Sequence, residues 1–236
     1  MSVNKQSVSY TIIYIVVLVV VVAAALAGVS IALTPRQNEN ADADKMKQIL
    51  ASVHIVPDSD VVTDFNRYIT AQAVVNVAGD IIGDDAFSIN VAEQSKIADL
   101  SERKLPVYMC TLSDGSEKYI IPVYGAGLWG PIWGYVAIDS GGSTVYGAYF
   151  AHQGETPGLG AEIEKPAFSG QFESKHLFKD GRFMPVTVVK AGQKPAGDED
   201  YVDGVSGGTI TSKGVGEMLQ NCISPYEAYL NSLRNK

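Results

Sequence analysis

Three glycine-rich segments carry the side chains in this sequence that could do chemistry: residues 201–215 (YVDGVSGGTITSKGV), 123–135 (VYGAGLWGPIWGY) and 152–160 (HQGETPGLG). In the first, Gly207 and Gly208 can adopt backbone conformations that bring amide N–H groups close to an anion. A helix starting near Thr211 or Ser212 would point its positive end at the same place, and Ser206, Thr209, Thr211 and Ser212 add hydroxyls. The segment reads either as a phosphate-binding turn or as a capped helix start, with serine and threonine satisfying free amides. It is not a P-loop, because no GKS or GKT follows, and GVSGG lacks the GxGxxG spacing of a dinucleotide site. In the second segment Trp129 and Trp133 lie among glycines, which suits a flat ring ligand and equally suits core packing. In the third, Glu155 and Thr156 precede Pro157-Gly158, a turn signal. No second carboxylate or histidine is placed to make Glu155 half of an acid–base pair. Ser206 lacks the nucleophile elbow of a hydrolase, so a triad with His152 and Asp203 is set aside.

Composition narrows the classes further. The 236 residues are 46% apolar, enough for one domain or one domain plus an appendage. The formal net charge of -8 argues against a nucleic-acid binder, which needs a basic patch to neutralise phosphates. Two cysteines, Cys110 and Cys222, cannot supply a zinc or iron–sulfur site alone, and either pair or stay as thiols. His54, His152 and His176 are scattered without metal-ligand spacing, so no metal site is expected.

These segments must be positioned by a chain that begins with an uncharged run. Residues 11–33 (TIIYIVVLVVVVAAALAGVSIAL) would make a helix about 34 Å long, enough to cross a hydrocarbon core of about 30 Å. Lys5 and Ala25-Leu26-Ala27 allow the alternative of a signal peptide, but the apolar run continues past Ala27 to Leu33. Pro35 and Arg36 are expected to end the run. The charges on its two sides are too mixed to orient it.

Beyond it the sequence predicts a polar linker over 34–44 and one domain over 45–236. Met46, Ile49, Leu50 and Val53 recur at helical spacing, and a second short helix is expected around Val61 to Ile69. A strand-like stretch follows over 73–82. KYIIPV (118–123), GYVAI (134–138), TVYGAYFA (144–151) and MPVTVVK (184–190) read as strands, with DSGGS (139–143) a turn. Val215, Met218, Leu219, Cys222 and Ile223 mark one face of a helix, and Ser224-Pro225-Tyr226-Glu227 has the form of a capping box. Helices at the ends and strands in the middle predict an α+β fold.

Taken in order, the three segments resemble the motifs of one family. Gly125-Ala126-Gly127-Leu128-Trp129-Gly130-Pro131 resembles GKGLWSP, residues 154–160 resemble ETPGLG, and 203–209 (DGVSGGT) resemble the covalent flavinylation motif D-G-x-[ST]-G-A-T. With the single apolar segment, they are similar over essentially the whole chain to the C subunit of the sodium-translocating NADH:quinone oxidoreductase. The resemblance implies FMN joined through its phosphate to the Thr209 hydroxyl by a flavin transferase. It further implies flavin contacts from Leu128, Trp129, Glu155, Thr156, Gly158, Leu159, Ser206, Gly207, Gly208, Ile210 and Thr211. Lys190 is a candidate positive partner, and Asp203 and Gly204 complete the motif. Ala126, Gly130 and Gly208 replace a family lysine, serine and alanine. The first two departures put in doubt any role for those side chains; the third would slow recognition by the transferase rather than remove the acceptor.

The implied fold is one transmembrane helix followed by a two-layer α/β sandwich with a largely antiparallel sheet. Residues 1–10 would be cytoplasmic and the domain periplasmic, at the bacterial inner membrane. The implied work is to relay electrons from an intramembrane iron–sulfur centre to the FMN of the B subunit, which makes the B subunit and the iron–sulfur-bearing membrane subunits partners. The G subunit of the related Rnf complex shares the span and the threonine motif. A non-redox anchored binding module using the same anion pocket is the reading from a different class.

Overall fold

The computed structural model describes residues 8–58 and 60–235. The chain divides into two units, Met1–Lys45 and Met46–Lys236.

The first unit is carried by helix α1, Val8–Ala51. Among the described residues it is the one helix long and apolar enough to cross a membrane. Its valines, isoleucines and leucines from Val8 to Leu33 are exposed, as a lipid-facing surface requires. The cytoplasmic end expected over residues 1–10 lies, for 1–7, outside the described residues. The expected stop at Pro35 does not occur: α1 continues through it, and residues 34–44 are helical rather than a linker. A proline inside a helix removes one hydrogen bond and crowds the previous turn. The helix is already nucleated there, so each following residue adds a bond without a new nucleation cost. The Thr34 hydroxyl donates to the Ser30 carbonyl at 2.8 Å beside the break.

The second unit is built on a six-stranded antiparallel sheet in the order β2-β1-β3-β4-β5-β6. Helix α2 (Val61–Tyr68) leads into β1 (Ile69–Val75) and β2 (Ile81–Gly83). The expected 73–82 strand is thus broken by a turn in which the Asn76 side chain accepts from the Asp80 N–H. After the short α3 (Val91–Gln94) come β3 (Leu105–Thr111), β4 (Glu117–Ala126), β5 (Pro131–Asp139) and β6 (Val145–His152). The expected central strands and the 139–143 turn are all present.

Alternation along these strands builds two cores. Val107, Tyr119, Ile121, Val123, Val136 and Ile138 face one side. Tyr108, Cys110, Ile120, Tyr135 and Ala137 face the other, as the two-residue repeat of a strand dictates. The second face is covered by Ile49, Leu50, Val53 and Phe65. The first face receives helix α5 (Thr209–Ile223) and helix α6 (Glu227–Arg234). Between β6 and α5 lie α4 (Pro166–Ser169), the small pair β7 (Phe178–Lys179) and β8 (Arg182–Phe183), and β9 (Thr187–Val189) paired in parallel with β10 (Tyr201–Asp203). The expected 184–190 strand is therefore shorter and lies outside the main sheet. The fold is α+β, as the end-helices-and-middle-strands order predicts.

Helix α5 buries the five apolar residues marked by periodicity, Val215, Met218, Leu219, Cys222 and Ile223. It lies tight against the end of β4: a Cβ on Gly214 would overlap the Ala126 carbonyl, and one on Gly125 would come within 2.7 Å of Met218 Cβ. The capping box at Ser224 does not form. Ser224 keeps helical dihedrals (φ -54°, ψ -39°) and donates its N–H to the Gln220 carbonyl, whereas a cap needs an extended residue. A 3-10 turn, Ser224–Tyr226, then joins α5 to α6. Cys110 and Cys222 are free buried thiols in different cores. Burial pushes both thiols up, Cys110 to about 11.

The loop before β3 is tied to the end of α5 by one buried side chain. The Arg103 guanidinium donates to the carbonyls of Ile97 (2.8 Å), Ser95 (3.2 Å) and Asn221 (3.0 Å), and to the Asn221 side-chain oxygen (3.1 Å). Lysine cannot span these acceptors from one ammonium. Arg103→Lys should lower the stability of the full chain in detergent by about 1–3 kcal/mol, read from its urea unfolding midpoint; an unchanged midpoint would mean water replaces the bonds without loss.

Candidate flavin site

The 203–209 motif is held on both sides before α5 begins. The Asp203 N–H donates to the Gln171 side-chain oxygen at 2.9 Å, and the Gln171 amide donates back to the Asp203 carbonyl at 3.2 Å. The Asp203 carboxylate accepts from the Gly192 N–H at 3.1 Å, which pins the turn following Lys190. Gly204 donates its N–H to Val189 O at 2.7 Å, and a Cβ there would sit 2.9 Å from Ser212 Cβ. The Val205 N–H donates to the Ser212 hydroxyl at 2.8 Å. Gly208 N–H closes the following turn on Val205 O, with Gly207 at φ 78° in the third position, where glycine is favoured.

Helix α5 then starts at Thr209, two or three residues earlier than expected. Gly208 is its N-cap and supplies no side-chain capping bond. The alternative of a capped helix start is met only before the helix, where the Ser212 hydroxyl takes the Val205 amide; Thr211 gives its hydroxyl to Glu155. The first-turn amides of α5 are left to meet an anion. The Gly208 amide is not among them, being occupied in the turn. Glycine suits position 208 for another reason: a Cβ would lie 3.2 Å from the backbone of Leu159 and Gly160.

Glu155 joins the three glycine-rich segments. It is buried, 5% exposed. One carboxylate oxygen accepts from the Trp129 N–H at 2.8 Å, and the other from the Thr211 hydroxyl at 2.5 Å. Its own N–H donates to His152 Nδ1 at 3.1 Å, so His152 serves as an acceptor here rather than as a member of a triad. Cβ atoms on Gly127 or Gly160 would overlap the carboxylate. Leu128 and Trp129 occupy the tip of the β4–β5 hairpin, closed by Gly127 N–H to Gly130 O at 2.8 Å. The Pro157-Gly158 turn forms as expected: Leu159 N–H donates to Thr156 O, and Gly158 has φ 75°.

A pocket of about 350 Å³ opens beside the motif. It contains Lys190, Gly204, Ser206, Gly207 and Thr209 of the expected residues, and adds Val188, Val189, Ala191, Val205, Ser212 and Lys213. Leu128, Trp129, Thr156, Gly158, Leu159 and Ile210 lie outside it and are exposed, Trp129 by 68% and Ile210 by 59%. Leu159 adjoins the motif, because a Cβ on Gly207 would come within 2.6 Å of its Cδ2. Glu155 and Thr211 are buried with their side-chain oxygens engaged, so their part is to frame the site.

Sequence reasoning missed Lys213, although four residues after Thr209 on a helix is the same face. It also missed Gln171, which has no local signal 32 residues from its partner. The arrangement fits a flavin phosphate: an exposed threonine, a helix start without a side-chain cap, two lysines on one pocket, and flanking apolar surface.

Two outcomes follow for the frame. Glu155→Ala strands the Trp129 N–H and the Thr211 hydroxyl and should lower stability by about 2–4 kcal/mol, with Glu155→Gln costing about half, measured by thermal unfolding. Gly208→Ala must displace Leu159 and Gly160 by a few tenths of an ångström. It should change the melting temperature by less than about 4 °C, and a larger drop would show that the 159–160 backbone cannot yield.

The FMN-binding domain family matches residues 127–224. The C subunit of the Na(+)-translocating NADH-quinone reductase of Vibrio anguillarum is 36% identical over 187 residues, 73% of each chain. A crystal structure of the same subunit from Parabacteroides distasonis is 48% identical, with a TM-score of 0.77 over 84% of this chain and 96% of that one. A Shewanella oneidensis NqrC structure, 23% identical with a TM-score of 0.67, covers 84% of this chain and all of that one, and shares the fold. Motif order, fold and relatives agree: the chain belongs to the C-subunit family of the sodium-translocating NADH-quinone reductase, and it carries that family's FMN-binding domain.

Proposed function

We propose that this chain holds FMN covalently, through a phosphodiester on Thr209, as the electron-relaying subunit of a sodium-translocating NADH:quinone reductase. The observation that carries the proposal is the exposed Thr209 at the first position of α5, lining a pocket with Lys190 and Ser206. When bound, FMN supplies one-electron transfer, here between an intramembrane iron–sulfur centre and the FMN of the B subunit.

This chain's residues bind, orient and shield. Thr209 would offer its hydroxyl oxygen to the flavin phosphate of a flavin dinucleotide; a flavin transferase would break the diphosphate bond of that donor, and the nucleoside monophosphate leaving group would take up the hydroxyl proton. Lys190, the Ser206 and Gly207 backbone and the first-turn amides of α5 neutralise the phosphate. Leu128, Trp129, Leu159 and Ile210, with Thr156 and Gly158 beside them, give the flavin ring an apolar face. Glu155 and Thr211 hold these pieces in register without touching the reacting group. The first unit anchors the chain by one transmembrane helix over residues 11–33 in the bacterial inner membrane. The second works on the periplasmic side, with the B subunit and the iron–sulfur-bearing membrane subunits as partners.

Intact mass after co-production with a flavin transferase tests the attachment. The native chain should gain one FMN and stay yellow after denaturation, and Thr209→Ala should gain none. Covalent flavin retained on Thr209→Ala would move the acceptor to another residue, and a colourless native chain would sink the redox reading.

A further inference from the structure

Lys213 lies four residues after Thr209 in α5, so both project from the same helix face. Both line the same pocket, whose lining holds no acidic side chain. The Lys213 ammonium is instead turned one step further along the helix, 3.3 Å from Glu217 Oε1. Both partners of that pair are mostly exposed, 77% and 68%, and exposed pairs of this kind hold weakly.

An i,i+4 ion pair on a helix is stronger when the anion precedes the cation. Lys213 followed by Glu217 is the weaker order. A phosphate on Thr209 followed by Lys213 is the stronger one, and it also lies at the positive end of the helix. We infer that Lys213 is a second cation for the phosphate carried by Thr209, paired with Glu217 until that phosphate is attached. The inference rests on the attachment proposed for Thr209. It makes the pocket a two-lysine cradle, with Lys190 supplied by the turn just after β9 and Lys213 by α5. The ligand class is a phosphoester anion, and Glu217 competes with it for one ammonium.

The full chain in detergent, loaded by a flavin transferase, tests this through the rate of covalent incorporation and the rise in melting temperature on loading. Lys213→Met should slow incorporation about two- to fivefold and shrink the thermal rise. Lys213→Arg should restore both. Glu217→Gln should load at least as fast as the native chain and show a larger thermal rise. Native rate and thermal rise in Lys213→Met would overturn the inference. So would Glu217→Gln slowing as much as Lys213→Met, because the ion pair itself would then be what matters. Slower loading with an unchanged thermal rise would also overturn it, placing Lys213 on the transferase contact. If the native chain takes up no FMN, the attachment reading fails, and the inference with it.

Discussion

One buried carboxylate sets the spacing of everything around the site. Glu155 reaches Trp129, 26 residues before it, and Thr211, 56 residues after it. A carboxyl group is costly to bury unless its oxygens are hydrogen-bonded, and here each oxygen has its own donor. Two of the surrounding glycines follow from this demand. Gly127 and Gly160 are small because the carboxylate passes where their Cβ atoms would be. The hairpin tip, the Pro157-Gly158 turn and the start of α5 are surface segments, and such segments ordinarily move independently. The shared carboxylate gives them one frame, so Thr209 and the exposed apolar residues keep a common geometry.

A second set of contacts fixes the motif itself. Gln171 pairs with both backbone groups of Asp203, acting in place of a further strand beside β10. Asp203 in turn holds the Gly192 amide, and so the turn after Lys190. The first residue of the motif thereby positions a lysine that the motif does not contain. Gly208 links the two sets. Its Cβ would press on Leu159 and Gly160, and Gly160 already lies against Glu155. A larger residue at 208 would press on the backbone that runs past the carboxylate.

What the sequence made legible was local. β-branched and aromatic content revealed β4, β5 and β6, because such side chains suit a pleated strand buried on both faces. The apolar face of α5 and the Pro157-Gly158 turn were legible for the same reason: each is decided by neighbours within four residues. The expected flavin contacts split on burial, which no local pattern carries. Thr209, Ser206 and Lys190 came together, whereas Glu155 and Thr211 turned inward as a frame. Helix α1 passing Pro35 and the unformed cap at Ser224 failed differently. Proline and serine favour boundaries, but a helix already running on both sides outweighs one residue's preference. The Arg103–Asn221 and Gln171–Asp203 bonds were invisible because the partners lie far apart along the chain.

The net charge of -8 and the basic pocket are compatible because they act over different distances. At physiological ionic strength charges more than about 8 Å apart are largely screened. An anion in the pocket therefore responds to Lys190, Lys213 and the α5 amides, and hardly to the total. A nucleic-acid backbone would need many such groups across a wide face, which this small pocket does not offer. A single phosphate needs only this one. Leu128, Trp129, Leu159 and Ile210, outside the lining of that pocket, are all exposed and apolar. A ligand with a charged end and a flat apolar end can satisfy both regions in one orientation only. A phosphoester on Thr209, as proposed, would impose the same direction.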